Sequence, residues 1–292
     1  MSLKNRKDRM ITSEDEAYIL TRAYVPEHIA SLMAGISKGE PFLIEDHLCL
    51  AKDNWLILVG YPLDENFSLE RCERVLRQVI ETFKPEYLWF AGPEIPVFLL
   101  ESCTERETDQ YYKLDLEKTK VKPSFQRVAD KTSKELVVER GQSISKEHRA
   151  LIAELLKREK LPPRVRELYR AMPDYVPCSS SAVVLSGRDR KGKLCAFFVV
   201  EFGAKDFSTY LLGTYSKKHY VPHASDLLFL EMINLTKEHG KKIINLGLGV
   251  NEGIRRFKKK WGGVPFLKYE FCESFYGTTR TASLIESLIG KL

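Results

Sequence analysis

The stretch from residue 182 to residue 272 constrains the fold most. Apolar runs at 182–186, 194–202 and 208–215 are parted only by the polar turns 187–193 and 203–206. Runs this short and this closely spaced read as an antiparallel meander. A helical pattern then runs from 225 to 239 and meets Gly240, a C-terminal stop, before another apolar run at 243–246. A strand that returns through a helix lies parallel to the one it left. Residues 208–215 and 243–246 are therefore expected as parallel neighbours. A helix at 251–261 and a last strand at 266–272 follow. A strand at 136–139, a helix at 145–158 and a second helix at 162–171, opened by prolines, precede the meander.

The first part of the chain reads as a helix near 26–37, then a hairpin, 42–51 and 55–61, about Lys52-Asp53-Asn54. Ser68 caps a helix to 83, with Leu69, Cys72, Val75, Leu76, Val79 and Ile80 at helical spacing. Strands at 87–91 and 110–116 flank a helix or loop at 95–102. The Lys-rich stretch 117–135, with Pro123, is the expected boundary. A chain of 292 residues suits two domains of about 100–200 residues each. The expected class is α/β (α+β mixed sheets): two similar mixed sheets, each flanked by helices, in domains 1–120 and 121–292 joined near 117–140.

Hydrophobic residues make up 43% and charged residues 29%, which excludes wholesale disorder. No apolar run nears the roughly 18 residues of a membrane helix. The basic start, MSLKNRKDRM, has no apolar stretch behind it, so no secretory signal is expected. The six cysteines lie at least 17 residues apart and form no C-x-x-C pair. They read as reduced thiols of a cytoplasmic protein. The net charge of +6 hides an asymmetry. Residues 1–120 hold 15 Lys+Arg against 22 Asp+Glu, and residues 121–292 hold 31 against 18. A balance of −7 followed by +13 suggests an anionic partner for the second half.

Several chemistries find no support. Gly247, Gly249 and Gly253 follow a strand and open a helix, but too little chain remains for a dinucleotide-binding half. No G-K-[ST] closes a phosphate loop. His219 and His223 are four apart, without the glutamate of a zinc helix and with Pro222 between them, so no metal is expected. Ser179-Ser180-Ser181 is no nucleophile elbow.

The segment NEGIRRFKKKWGG, residues 251–263, does carry a pattern. On a helical wheel Ile254, Phe257 and Trp261 share one arc. Arg255, Arg256, Lys259 and Lys260 fall mostly on the far side, a face suited to phosphates or simply to water. Lys258 alone lies at the edge of the apolar arc. A lysine there snorkels out, finds an acid, or reaches a ligand.

At these residues the chain resembles the FemABX-like branch of the GNAT acyltransferases, which are tandem GNAT-like proteins. The segment INLGLGVNEGIRRFKKKWGG is similar to that branch's strand-loop-helix signature, with Phe257-Lys258 as its Phe-Lys pair. TYLLGTYSKKHYVPHASDLLFLEMINLTKEHG is similar to the preceding strand, loop and helix at the acyl-donor entrance. The resemblance implies transfer of an acyl or aminoacyl group, from acyl-CoA or aminoacyl-tRNA, to a small-molecule or peptide amine. It implies that Lys258 stabilises the developing charge. Tyr215, with Tyr210 and Glu201 on the central strands, is a candidate base. The donor's phosphates would be met by His219, His223, Ala224 and Ser225 at a helix N-terminus, and by Asn251 and Arg255. His219 and Pro222 depart from the family's glycine loop, and Pro222 deletes a backbone donor. That departure shifts weight toward aminoacyl-tRNA, whose phosphates suit the basic half, or toward a relaxed acyl-CoA site. The acidic half would be degenerate or would bind the acceptor. The alternatives are a phospholipid aminoacyltransferase-like enzyme, or a non-catalytic GNAT-fold module that binds RNA or anionic lipid.

Overall fold

The structure, a computed structural model, describes residues 11–277. In chain order, α1 (Ser13–Arg22), a 3₁₀ turn (Pro26–His28) and α2 (Ala30–Ser37) lead into β1 (Glu40–Ile44), β2 (His47–Lys52) and β3 (Trp55–Val59). Next come α3 (Leu69–Phe83), β4 (Tyr87–Gly92), α4 (Val97–Leu100), β5 (Cys103–Asp115) and α5 (Pro123–Thr132). Then follow β6 (Leu136–Gly141), α6 (Lys146–Arg158), α7 (Pro163–Cys178), β7 (Ala182–Asp189), β8 (Leu194–Glu201) and β9 (Phe207–Tyr215). The described chain closes with α8 (Ala224–Glu238), β10 (Ile243–Leu248), α9 (Glu252–Lys260) and β11 (Val264–Phe275). The class is α/β with mixed strand pairing, as expected.

Two compact units emerge. The first holds the described residues up to Tyr111, with 248–250 and those from Pro265 onward; the second holds 112–247 and 251–264. In the first unit the strands run in the order β1-β2-β3-β4-β11-β5. β1, β2 and β3 form an antiparallel meander, α3 returns the chain so that β4 lies parallel to β3, and β11 is antiparallel to β4. Leu56, Leu58, Val75, Leu76, Val79, Leu88 and Phe90 form one fully buried side of this layer.

In the second unit the order is β5-β10-β9-β8-β7-β6. β6 to β9 are an antiparallel meander, and β10 is parallel to β9 through α8, the neighbour relation expected from the helix between them. α8 buries Leu228, Phe229, Met232 and Ile233 against the strands, and Trp261 joins the same core.

Three expectations need correction. The 117–135 connector contains a helix, α5, because Pro123 stands in its first turn, where a missing N–H costs nothing. Its Ala129 and Phe125 pack into the second core. The strand expected at 110–116 begins seven residues earlier. Its charged first part, Cys103–Asp109, hides the pattern, since Arg106 and Thr108 turn to the buried carboxylate of Glu270 and not to apolar neighbours. Two similar mixed sheets joined near 117–140 were expected, whereas the strands run in one order and β5 serves both units, with 103–111 in the first and 112–115 in the second.

Candidate functional site

The site forms where β9 and β10 stop pairing. Their parallel register runs Phe207 to Ile243, Ser208 to Ile244 and Thr209 to Asn245, and ends there. Both strands have a local cause for leaving. In β9, Val199 of β8 pairs with Leu212 and Val200 with Tyr210, so Leu211 is an extra residue, a bulge. In β10, the Asn245 side-chain Oδ1 accepts from the Gly247 N–H at 2.8 Å, and Gly247 takes a φ of +72°. Only glycine adopts that backbone without strain.

The fork holds polar atoms that the fold does not satisfy. Thr209 and Asn245 are both 1% exposed, yet Thr209 Oγ1 and Asn245 Nδ2 have no hydrogen-bond partner. An unmet buried polar group costs about 1–3 kcal/mol, and such groups concentrate where something else is to be bound. Neither residue was singled out in the sequence. The signal was an Asn inside the apolar run IINLGL, legible as out of place but not as one whose amide nitrogen goes unmet.

Lys258 reaches the same fork. It is 3% exposed, more buried than Ile254 or Phe257 on its own helix. A Cβ placed on Gly247 would stand 3.9 Å from the Lys258 Nζ and 3.8 Å from the Tyr210 carbonyl oxygen. The ammonium also lies 5.6 Å from the centre of the Tyr112 ring, a cation–π distance. Helix α9 is stopped so as to hold this lysine. Gly262 (φ +91°) and Gly263 donate to the Lys259 and Lys258 carbonyls, a Schellman ending. A Cβ on Gly263 would come within 2.9 Å of the Lys258 carbonyl oxygen.

The other expected residues divide. His223 caps α8 with a left-handed φ of +64°, and its Nδ1 is 2.9 Å from Asp226 Oδ2. The same carboxylate accepts from Lys260 Nζ at 2.6 Å and Trp261 Nε1 at 3.2 Å. Burial opposes ionisation of Asp226, but Lys260, His223 and Trp261 outweigh it and hold the carboxyl below its usual value. The wheel put Lys260 on the solvent side; in fact it ties α9 to α8. Ala224 and Ser225 lie in the first turn of α8, next to this resident negative charge. His219 donates its backbone N–H to Ser216 Oγ. Asn251 caps α9 by accepting from Ile254 N–H, and Arg255 pairs with Glu252 on the surface. Both therefore find partners inside α9 itself.

Tyr215 does not join the fork. Its ring carries Arg158 at 4.9 Å and meets Tyr220 edge-on, and it stands five residues down β9 from Tyr210. Glu201 is buried and accepts from Tyr175 OH, Ser179 Oγ and the Gly203 N–H, which makes it a brace for the β8 turn. Tyr210 stands at the fork, its carbonyl oxygen facing Gly247, and burial pushes its phenol well above the ordinary range.

Comparison with known proteins rests on structure alone. No protein-family profile matches the sequence, and no curated protein matches it. Among solved structures, FemX is similar with a TM-score of 0.62 at 12% identity, over 91% of this chain and 96% of that one. A tandem GNAT protein from the clavulanic acid biosynthesis pathway gives 0.54 at 12% identity, over 92% and 97%. The C-terminal domain described as that of a lysylphosphatidylglycerol synthetase candidate from Agrobacterium fabrum gives 0.59 at 16% identity, over 89% and 90%. The fold is GNAT-like. In this GNAT-like fold the two segments that carry the resemblance are β9 with α8, and β10 with α9. Among the described residues no cluster of three or more His, Cys, Asp or Glu could hold a metal ion. No described helix is long and apolar enough to cross a membrane.

Proposed function

We propose that this chain is an acyl- or aminoacyltransferase of FemABX type whose reacting centre is the β9–β10 fork. The observation that carries the reading is the buried Lys258 ammonium, directed at a strand fork that also contains unsatisfied Thr209 and Asn245 atoms. A carbonyl group seated in the fork would place its oxygen near that ammonium. As an amine attacks the carbonyl carbon, charge builds on this oxygen, and a fixed cation in a dry site stabilises it far better than water would. Collapse expels a thiolate or a ribose hydroxyl, and the proton lost by the amine goes to that leaving group. Burial pushes the Tyr210 phenol well above the ordinary range, so Tyr210 is not assigned as the base that takes the amine's proton. Tyr215, fixed beside Arg158, is left out of the reacting set.

The donor is acyl-CoA or aminoacyl-tRNA. The resident charge of Asp226 and the missing N–H of Pro222 weaken the α8 N-terminus as a phosphate site and favour the tRNA ester. The acidic segment 1–120 is proposed to attract the cationic acceptor. Its setting is the cytoplasm, where the six free cysteines stay reduced. Similarity to the Agrobacterium domain favours one variation, transfer of an aminoacyl group to a phospholipid headgroup.

The test is transfer of a labelled acyl group from acetyl-CoA, and of labelled amino acids from charged tRNA, to amine and phospholipid acceptors. Lys258→Met keeps most of the side chain's length and removes its charge. It should lower kcat by about 100-fold or more. Arg256→Ala, on the exposed face of the same helix, should leave kcat within about twofold. Equal effects from the two, or no transfer from either donor, refute the assignment and leave a binding module.

A further inference from the structure

The cysteines carry a second chemistry. Four of the six, Cys49, Cys72, Cys103 and Cys272, gather in one apolar cluster of the first unit. Buried cysteines often pack as small hydrophobes, and Cys49, Cys72 and Cys272, all 0% exposed, fit that role. Cys103 does not. It stands at the rim of the cluster, partly exposed, as the first residue of β5. Its thiol donates to the Glu105 carbonyl at 3.1 Å and is in hydrogen-bond contact with the Cys272 thiol on the neighbouring strand, β11. The residues on either side of Cys103 hold the two sulfurs together. Ser102 Oγ donates to Ser274 Oγ at 3.1 Å, and Thr104 Oγ1 donates to the Glu273 carbonyl at 3.0 Å. Adjacent strands lie about 4.7–4.9 Å apart, and a disulfide needs Cα atoms about 4.4–6.8 Å apart, so neighbouring positions on β5 and β11 fall within its reach.

We infer that Cys103 and Cys272 form a reversible disulfide when the protein meets a hydroperoxide, with Cys103 as the attacking thiol and Cys272 as the resolving one. Exposure assigns the roles, since of the two only Cys103 is open to a dissolved oxidant. With hydrogen peroxide, the Cys103 sulfur attacks one peroxide oxygen. An S–O bond forms, the O–O bond breaks, and the departing hydroxide takes the thiol proton as water. The Cys272 sulfur then attacks the sulfur of this sulfenic acid. An S–S bond forms, the S–O bond breaks, and a second water leaves with the Cys272 proton. Two thiols are oxidised and one peroxide is reduced. Burial and the bond to Cys103 push the Cys272 thiol up, while Ser274 and Arg106 oppose the rise. Cys272 therefore keeps its proton until a sulfenic acid forms beside it. In a reducing compartment the resting state is the dithiol, and exchange with free thiols restores it. The inference stands on the first unit alone and does not rest on the transferase reading.

The test treats the full, reduced chain with hydrogen peroxide, blocks the remaining thiols by alkylation in denaturant, and maps the peptides by mass spectrometry. The Cys103 and Cys272 peptides should appear joined, with two hydrogens lost, and dithiothreitol should return both thiols. Cys272→Ala should stop the reaction at a sulfenic acid on Cys103, trapped by dimedone. Cys103→Ser should leave Cys272 reduced at the same dose. Cys178→Ser, at an exposed position outside the cluster, should leave the cross-link unchanged. Circular dichroism checks that each variant is folded, and the map of the unsubstituted chain decides the matter even where one is not. Oxidation of Cys103 that leaves Cys272 free to be alkylated overturns the inference. So does a cross-link that forms only after unfolding in urea, or Cys272 that is oxidised as readily in Cys103→Ser as in the unsubstituted chain. A Cys103 that stays reduced at doses that oxidise Cys178 overturns it as well.

Discussion

Gly247→Ala and Gly240→Ala form a matched pair that isolates the fork from ordinary backbone strain. Gly247 has φ +72° and Gly240 has φ +69°, so an alanine at either pays the same left-handed penalty, about 1–2 kcal/mol. Their surroundings differ. A Cβ at Gly240, past the end of α8, meets nothing within 4 Å. At Gly247 it meets the Tyr210 carbonyl oxygen at 3.8 Å and Lys258 Nζ at 3.9 Å, which are ordinary contacts and force no movement. Stability should thus fall equally in the two variants, by roughly 2–8 °C in Tm for units of this size. Activity should not. The new methyl occupies the space where a carbonyl oxygen would face Lys258, and losing one such interaction costs about 100-fold to 1,000-fold in kcat. Thermal melts by circular dichroism and single-turnover transfer rates decide the matter. If Gly247→Ala loses no more activity than Gly240→Ala, the fork is not the reacting centre.

Other consequences concern the scaffold. Asp226→Ala strips Lys260, His223 and Trp261 of their shared acceptor; with Lys260 and His223 reaching solvent, the main cost is the buried Trp261 N–H left unmet, about 1–3 kcal/mol in urea unfolding. Phe229→Ala removes a buried ring stacked on Trp261 at 4.7 Å and edge-on to Phe257 at 5.4 Å; denaturant melts should show a loss of about 3–5 kcal/mol. Acid should destabilise the fold early. Burial lowers the pKa of His28 from 6.5 to about 4, opposed by its hydrogen bond to the Tyr61 carbonyl, and burial lowers His47 and His148 likewise. These rings are neutral when folded and charged when unfolded at mildly acid pH, so the unfolded chain binds more protons there. Stability is full above pH 6.5 and falls as pH drops toward 4, by on the order of 3 kcal/mol for His28. Urea melts across that window should show the slope, and a flat profile would contradict it.

Local pattern carried much of the architecture. The meander, the parallel return through α8 and the helix of residues 252–260 were legible because apolar spacing and glycine stops are properties of neighbouring residues. The wheel likewise placed Lys258 against the apolar arc, where it is buried. Charged β5 was not legible, since its partners on β11 lie more than 160 residues away in the chain. Nor was the pairing of Lys260 with Asp226, 34 residues apart, or the recess that joins residues 119–125 to the end of α9. The wheel could not anticipate either, because it describes one helix without neighbours. The fork was the hardest to foresee. Sequence says that Asn245 is polar and Gly247 flexible; only the register of β9 against β10, ending at Thr209 and Asn245, leaves their polar atoms unmet beside a buried ammonium. Periodicity determines which face of an element is buried, while the place where two strands part depends on long-range pairing, which no single segment encodes.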